Sequence, residues 1–569
     1  MPVSAASEDP APSVEAAGVD RDSVTSSGTW RTVAACAVAV VVLAGFFLLT
    51  RPGNVTEAED AWRYAVGVRD GGELDLGAGA HPYTPMVMRP VFLALRGLGF
   101  GIEATTVMST ISAVGMALAV VLLVILLWKG IGLQRGVALC AATGLALSYV
   151  FWRYSAEQEI YGLAIATAMV AAAYVYMGRV RPWWLVITIL LTIVATVTHL
   201  LNLSLLVGLV PLVVWHRAPT SKRRTWAAIA LVATVLGGML VWAARPLVAP
   251  NAGRETYDPP IAAAVVHDDS VRAVAMAVGF SPRNVPEGAV GLTQAVVSAN
   301  FALGFGPVLD FMDGAFPGRD FSEERYLGER IPRWQSWLAL ATLVTFLGLS
   351  VTLVVAGRRG FLGRLRHPLA LPFAGWFLVY LGMMILSEPA NPELWTAGLP
   401  PLWALLACLF IAPVWERSRL RWLPIALVAV LGVHNLIGGI LPVASADTDL
   451  WRARNAWLLE RLGPEDIVVL GDDKVQSGYL RYLSPARVMW FDNVTPEEFD
   501  EQLAAIGARR GHVYAYKGFI DPRHEKSMTD GQYDRLRTVS DRLRGDFVKI
   551  HDDEWGGVFE YCPVGRCGP

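Results

Sequence analysis

Residues 57–90 read EAEDAWRYAVGVRDGGELDLGAGAHPYTPMVMRP and follow the first long apolar segment of the chain. This first loop opens with the acidic pair Glu59 and Asp60, continues to Arg63, and reaches His81 after a glycine-rich turn. Ionisable groups are costly to hold beside hydrocarbon, which makes them candidates for a functional site. We therefore expect the first loop to form half of an active site, while the rest of the chain supplies a membrane scaffold, the other half and an outer domain.

The composition indicates a membrane protein. Of 569 residues, 54% are hydrophobic and only 17% are charged, whereas soluble proteins average about 25% charged residues. The net charge of −2 argues against a nucleic-acid partner.

The hydrophobic segments predict eleven transmembrane helices. Residues 1–29 are rich in Ala, Ser, Pro and acid without any period, which is typical of a disordered tail. Residues 30–50 are long enough to span a bilayer, and the tail before them favours a retained anchor over a cleaved signal peptide. The further predicted spans are 104–128, 133–152, 158–178, 183–199, 201–216, 226–246, 334–357, 369–387, 397–414 and 422–442.

The basic residues predict the orientation, because Lys and Arg collect in cytoplasmic connections. With eleven spans and a cytoplasmic N-terminus, five basic turns all fall inside. They contain Lys129 and Arg135; Arg179 and Arg181; Arg217, Lys222, Arg223 and Arg224; Arg358, Arg359, Arg364 and Arg366; and Arg417, Arg419 and Arg421. The weak apolar run 289–313 is interpreted as a re-entrant or surface helix.

The connections on the other side differ in chemistry. They collect acid, histidine, asparagine and tryptophan in the segments 153–161, 198–202 and 387–395 and in a long loop at 247–332. Membrane insertion explains the arginines in the cytoplasmic connections, but it does not explain the acidic residues and histidines in the outer connections. The sequence therefore predicts a reactive site on the outer face.

From residue 446 to 569 the composition becomes that of a soluble domain. Short apolar runs at 467–470, 488–491, 513–516 and 547–550 predict strands, and they alternate with helical patterns at 450–462, 495–509 and 530–544. This pattern indicates a small extracytoplasmic α/β domain. Cys562 and Cys567 would form a disulfide there. Asp472 and Asp473 follow the first strand, where a metal site or, as the simpler reading, a solvated turn would lie.

Each candidate also has a structural explanation. Glu59 and Asp60 would complement a helix dipole, His199 would be a satisfied interfacial histidine, and Trp395 would belong to an aromatic belt. Their predicted location on one side of the membrane favours the functional interpretation.

The motifs resemble those of GT-C type membrane glycosyltransferases, which take a sugar from a polyprenyl-phosphate carrier. In the protein O-mannosyltransferase and aminoarabinose transferase branches, the first outer loop begins with an acidic pair similar to the one in Glu59-Asp60-AWRYA. The mannosyltransferases also carry segments similar to His81-Pro82-Tyr83, Glu159-Ile160-Tyr161 and His199-LLNLSLL. The acidic pair stands in reversed order here, and Tyr83 replaces a second proline. The resemblance covers residues 30–220.

This resemblance implies a glycosyltransferase with its catalytic domain at 30–445 and its site on the outer face of the plasma membrane. Asp60 would be the general base with Glu59 as the alternative. The chemistry of the outer loops and the resemblance together predict the substrate-binding residues Arg63, His81, Arg153, Glu159, Tyr161, His199, Asn202, Glu388 and Trp395, of which Arg63, Arg153 and His199 are candidates for the phosphate. No metal ligands are predicted, although a divalent cation stays open as a cofactor.

The expected partners are the polyprenyl-phosphate sugar donor, membrane lipid, and a protein, lipid or glycan acceptor. Two alternatives remain. A transporter or flippase of a lipid-linked sugar would place charge in the middle of its spans, where this sequence has almost none. A non-catalytic assembly protein or sensor would explain the outer domain but not the chemistry of the short loops.

Overall fold

The computed structural model describes residues 26–55, 61–71, 84–158, 161–233, 236, 284–315, 321–368, 370–386, 389–471, 474–490, 511–522 and 530–562. Within these residues the chain is a bundle of apolar helices followed by a five-stranded sheet.

The apolar helices match the predicted spans. Among the described residues, 5 helices are long and apolar enough to cross a membrane, and shorter apolar helices of 10–17 residues pack with them. The predicted segment 226–246 lies mostly outside the described residues, so the count of eleven stays a prediction. The apolar helices are Ser26–Leu49, Ala104–Ile125, Arg135–Leu147, Tyr161–Met177, Pro182–Thr198, Val210–Arg217, Arg333–Gly357, Leu371–Leu386, Leu399–Leu406, Ala412–Trp415 and Trp422–Asn435.

Several helices are extended or joined by tighter or wider turns. Four π-helical turns occur at Leu126–Gly130, Leu205–Leu209, Ala407–Ile411 and Leu436–Ile440 within the described residues. The 3₁₀ turns there are Leu200–Asn202, Thr220–Lys222, Asn300–Gly304, Glu393–Gly398, Ser418–Leu420, Ala446–Thr448 and Arg544–Asp546. Short helices cover the ends of the bundle at Ala61–Asp70, Thr84–Gly97, Tyr149–Arg153, Asn284–Val296, Gly306–Ala315, Ser322–Gly328 and Phe361–Leu365.

The basic turns meet at one end of the bundle. Arg364 donates to the Leu409 carbonyl at 3.1 Å, and Arg417 donates to the Ala356 carbonyl at 2.9 Å. Arg217 donates to the Val175 and Gly178 carbonyls at 2.7 and 2.9 Å, beside the turn at 179–181. The Trp415 ring lies against Gly136, beside the turn that contains Arg135. This gathering is what the predicted topology requires of turns that share one side of a membrane.

The first loop packs at the opposite end. The helical segment Ala104–Gly130 has 27 residues, which corresponds to about 40 Å at about 1.5 Å per residue. Glu103, just before its start, contacts Tyr482, whereas Lys129 near its end lies over Trp128. The two chemically different faces read from the sequence are therefore separated by the length of this segment.

The run 289–313 is held by the bundle. It contains parts of the helices Asn284–Val296 and Gly306–Ala315. Asn435 accepts a hydrogen bond from the Ser298 amide at 2.9 Å and donates to the Val296 carbonyl at 2.8 Å. These bonds satisfy backbone groups at the turn after the first helix, where no helical partner is present.

The C-terminal sheet has the strand order β2-β1-β3-β5-β4. Its strands are β1 (Ile467–Leu470), β2 (Arg487–Trp490), β3 (Val513–Tyr516), β4 (Phe547–His551) and β5 (Val558–Tyr561). β1 is parallel to β2 and β3, while β5 is antiparallel to β3 and β4. The helices of this region are Leu450–Leu459, Lys474–Leu483, Lys517–Ile520 and Asp530–Leu543.

The sequence predicts four of these strands but misses β5. β1 and β3 are buried along their whole length, which explains their continuous apolar runs. β5 has one buried residue followed by half-buried ones, so its pattern is weak. The predicted helix 495–509 lies outside the described residues. Cys562 is disulfide-bonded; its predicted partner Cys567 lies outside the described residues.

Candidate active site

The structure describes six of the predicted site residues. Five others, Glu59, Asp60, His81, Glu159 and Glu388, lie outside the described residues, and their roles stay predictions. The six described ones are Arg63, Arg153, Tyr161, His199, Asn202 and Trp395.

Arg153 forms a buried ion pair in the second outer segment. It ends the short helix Tyr149–Arg153 and pairs with Glu157 four residues later. Both side chains are 0% exposed, and the guanidinium also donates to the Asn54 carbonyl at 2.8 Å. Because a buried charge needs a partner to offset its desolvation, Glu157 is the residue that allows Arg153 to be enclosed here.

Two more contacts join this segment to the end of the first span. The Trp152 indole donates to the Thr50 hydroxyl at 2.8 Å, and Arg51 donates to the Gln158 amide oxygen at 3.3 Å. Residues 50–54 and 152–158 therefore lie side by side at the end of the bundle that carries the first loop.

A series of aromatic rings connects residues 152–158, which form one wall of the candidate site, to the third outer segment, 198–202. The rings of Tyr154 and Tyr161 are 6.3 Å apart, and those of Tyr161 and His199 are 5.4 Å apart. His199 Nδ1 accepts the Leu201 amide at 3.0 Å, so the neutral imidazole carries its proton on Nε2. Arg153, Tyr161 and His199, which are distant in sequence, thus belong to one contiguous group.

Asn202 and Trp395 have structural partners. The Asn202 amide group donates to the carbonyls of Ala164 and Ala195 at 3.0 and 2.9 Å. Trp395 is 0% exposed, and its indole donates to the Pro389 carbonyl at 3.0 Å. These contacts connect neighbouring helices and loops, while the roles of both residues in substrate binding stay predictions.

Arg63 lies where the first loop meets the C-terminal region. A Cβ built at Gly478 would lie 3.2 Å from Arg63 Cγ, so the stem of Arg63 packs directly on the helix Lys474–Leu483.

The sequence reading missed Arg51. Burial lowers the pKa of its guanidinium, which means that the charged form is held at a cost. Among the described residues, Gln158 is its side-chain partner and no carboxylate forms an ion pair with it. A single arginine directly after the first span, on the side opposite to the basic turns, was the available sequence signal.

The electrostatics of the two arginines therefore differ. Glu157 already neutralises Arg153, whereas Arg51 keeps a positive charge that no described carboxylate offsets. A phosphate placed beside Arg51 would supply the missing negative charge through charge-assisted hydrogen bonds. Within the described part of the chain, no group of three or more His, Cys, Asp or Glu side chains could hold a metal ion.

No family model matches the chain, and no curated protein matches it. Two similar solved structures are crystal structures of ArnT from Cupriavidus metallidurans. The one bound to undecaprenyl phosphate has a TM-score of 0.48 and 14% identity, covering 95% of this chain and 99% of its own. The apo structure has a TM-score of 0.38 and 13% identity, covering 96% and 100%.

Proposed function

We propose that this protein transfers a sugar from a polyprenyl-phosphate carrier to an acceptor hydroxyl at the outer face of the plasma membrane. We base the proposal on the chain's own residues rather than on the two ArnT structures. The observation that carries it is the contact of residues 50–54, just before the first loop, with residues 152–158, and of Tyr161 with His199, at one end of the bundle opposite the basic turns. These residues adjoin or belong to the motifs that resemble those of the glycosyltransferases.

The reaction needs two kinds of group. The acceptor hydroxyl must lose a proton as its oxygen attacks the anomeric carbon of the sugar, and the carrier phosphate must leave with the bonding electron pair. A carboxylate suits proton removal, and we assign this role to Asp60, with Glu59 as the alternative. The departing phosphate gains negative charge and therefore needs a fixed cation.

We assign the phosphate contact to Arg51, with Arg63 and His199 as further candidates. Arg51 is the first residue after the first span, so we place its guanidinium at the membrane depth where a lipid phosphate would reach the bundle. The absence of an ion pair between Arg51 and any described carboxylate is what favours it over Arg153. We expect Arg153 to support the wall of the site, because Glu157 and the Asn54 carbonyl already occupy its guanidinium.

A transporter of the lipid-linked sugar is the less favoured alternative. The buried ion pair of the described residues stands at the end of the bundle, next to the first loop, and not in the middle of the spans. A transport pathway would need its polar groups near the midplane.

The direct experiment uses the purified full chain in lipid nanodiscs with a polyprenyl-phosphate sugar and a panel of acceptors. Sugar transfer that is lost in Asp60→Asn and retained in wild-type controls run in parallel would support the proposal. Carrier that is moved across vesicles without loss of its sugar would support the transporter instead.

A further inference from the structure

The chain just before the acidic pair is fastened to the C-terminal region. The Asn54 amide donates to the Val443 carbonyl at 3.0 Å, and the Asn54 side chain donates to the Thr448 carbonyl at 2.6 Å. The Val55 amide donates to the Asp449 carboxylate at 3.1 Å. Residue 55 is the last described residue before the pair, so its position is set by residues almost 400 positions later in the sequence.

Asp449 is built for this contact. It is 2% exposed, and its second oxygen accepts the Arg452 amide at 3.0 Å. That bond caps the helix Leu450–Leu459, because a side-chain oxygen satisfies an amide that lacks a helical partner. One carboxylate therefore fixes both the start of this helix and the chain before the acidic pair.

The chain just after the pair is fastened as well. The helix Ala61–Asp70, here called the loop helix, packs on the helix Lys474–Leu483, here called the clamp helix. The Trp62 ring lies against Tyr479 and Tyr482, with centroid distances of 5.0 and 5.4 Å. At the far end of the loop helix, Arg69 lies 4.8 Å from the Tyr482 ring centroid.

Tyr482 also joins the loop helix to the membrane bundle. Its hydroxyl donates to Glu103 at 3.1 Å and accepts the Thr105 amide at 3.4 Å, at the start of the helix Ala104–Ile125. Burial raises the pKa of the Tyr482 phenol, so the neutral, donating form is present at physiological pH. A single side chain thus touches the loop helix through its ring and a transmembrane helix through its hydroxyl.

The loop helix and the clamp helix approach each other most closely at Gly478, which has no side chain. A Cβ built at Gly478 would lie 3.2 Å from the Cβ of Trp62. This close approach leaves the loop helix little freedom to shift along the clamp helix.

We propose that residues 443–482 are the positioning element of the acidic pair, with Asp449 holding the chain before it and Tyr482 holding the helix after it. Asp60 is bonded to Ala61, and consecutive Cα atoms are about 3.8 Å apart, so fixing the loop helix limits where the general base can stand. This inference rests on the proposed function. It assigns the C-terminal region a role in catalysis, because this region would position the general base next to the bound carrier.

The first test compares Tyr482→Ala, Tyr482→Phe and Tyr514→Ala in the full chain. Displacing a catalytic group by about 1 Å can cost about 10²-fold in rate. We expect Tyr482→Ala to lower kcat about 10–100-fold while the KM for the carrier changes less than about twofold. Tyr482→Phe keeps the ring contacts and should stay within a few-fold of wild type. Tyr514 is the matched control, since both tyrosines are 7% exposed and Tyr514 lies in strand β3, away from the loop helix.

The second test restores the contact reversibly. In the double variant Trp62→Cys, Gly478→Cys the two Cβ positions are close to the separation of about 3.5–4.5 Å that a disulfide needs. Oxidation with copper phenanthroline should form the bond and raise kcat at least about tenfold above the reduced form. Trp62→Cys alone, treated identically, controls for the native disulfide and the free cysteines.

The outcomes separate the two proposals. A wild-type chain that transfers no sugar from any polyprenyl-phosphate donor contradicts the proposed function itself. An active wild type with equal losses in Tyr482→Ala and Tyr514→Ala, or with a KM effect in place of a kcat effect, overturns the positioning role alone. Failure of the engineered cysteines to cross-link also overturns it, because the loop and clamp helices would then not be adjacent.

Discussion

The buried ion pair of Arg153 and Glu157 gives the sharpest stability prediction. Glu157→Gln keeps the size of the side chain and removes its charge, which takes away the ion-pair partner of the Arg153 guanidinium, a side chain that is 0% exposed. Breaking a buried pair by removing one partner costs about 3–5 kcal/mol. Since about 1.4 kcal/mol corresponds to a factor of ten, the folding equilibrium should fall at least about a hundredfold.

Removing both charges should be far less harmful. In the double variant Arg153→Met, Glu157→Leu no charge is left buried, and replacement of a buried pair by apolar residues is often neutral. The lost hydrogen bond to the Asn54 carbonyl, 2.8 Å long in the wild type, should cost about 1 kcal/mol. We therefore expect the double variant to be more stable than Glu157→Gln.

The assay is reversible unfolding in mixed detergent micelles, followed by circular dichroism. Glu460→Gln is the control, because Glu460 and Arg461 form a pair with 76% and 45% exposed side chains, and such surface pairs are worth at most about 1 kcal/mol. If Glu157→Gln costs no more stability than Glu460→Gln, or if the double variant is no more stable than Glu157→Gln, the buried pair does not hold the wall of the site.

Four further predictions follow from the same structure. Asp60→Asn should lower kcat about 10²–10⁴-fold and Glu59→Gln should lower it less, with carrier binding unchanged in both; the reverse order would exchange their roles. Arg51→Gln should weaken carrier binding about 10–100-fold, from the loss of about 1.5–3 kcal/mol of charge-assisted bonding, and should leave binding of the uncharged polyprenol unaltered. A reporter fused after Val443 should be active outside the cell, and cytoplasmic activity would contradict the outer site. The stability that Tyr482 contributes through its raised pKa should be fully present below the ordinary tyrosine pKa of about 10 and be lost as the pH rises through the folded-state pKa. Unfolding curves recorded over a pH series should therefore show that Tyr482→Phe loses less stability at alkaline pH than the wild type.

The sequence predicted the elements whose signal is local. The strands at Ile467–Leu470 and Val513–Tyr516 were predicted with their observed bounds because buried parallel strands are apolar throughout. The clamp helix was missed because the residues that it buries include the polar Gln476 and Ser477, so its sequence, KVQSGYLRYL, contains no continuous apolar run. A helix of this kind is recognised by the surface it covers, which here is the loop helix.

The site was predictable in part for a related reason. The arrangement of Arg153, Tyr161 and His199 around one end of the bundle follows from their loops sharing a side of the membrane. Arg153 and Glu157 are only four residues apart, but the sequence does not show that both side chains are buried. The contact between Arg51 and Gln158 joins residues 107 positions apart and depends on tertiary packing.

The same limit applies to the C-terminal region. Its strands were readable, but its contact with the first loop was not, because Tyr482 and Trp62 carry no pattern that pairs them. Only the folded chain brings Asp449 to Val55 and Tyr482 to Trp62.

Mass spectrometry of lipids and glycans from a strain that lacks this protein tests the central claim most directly. The account predicts that a polyprenyl-phosphate sugar accumulates together with an undecorated acceptor, and that both return to normal with the wild-type chain but not with Asp60→Asn, Glu59→Gln. An unchanged pool of carrier-linked sugar, or full complementation by that double variant, would contradict it.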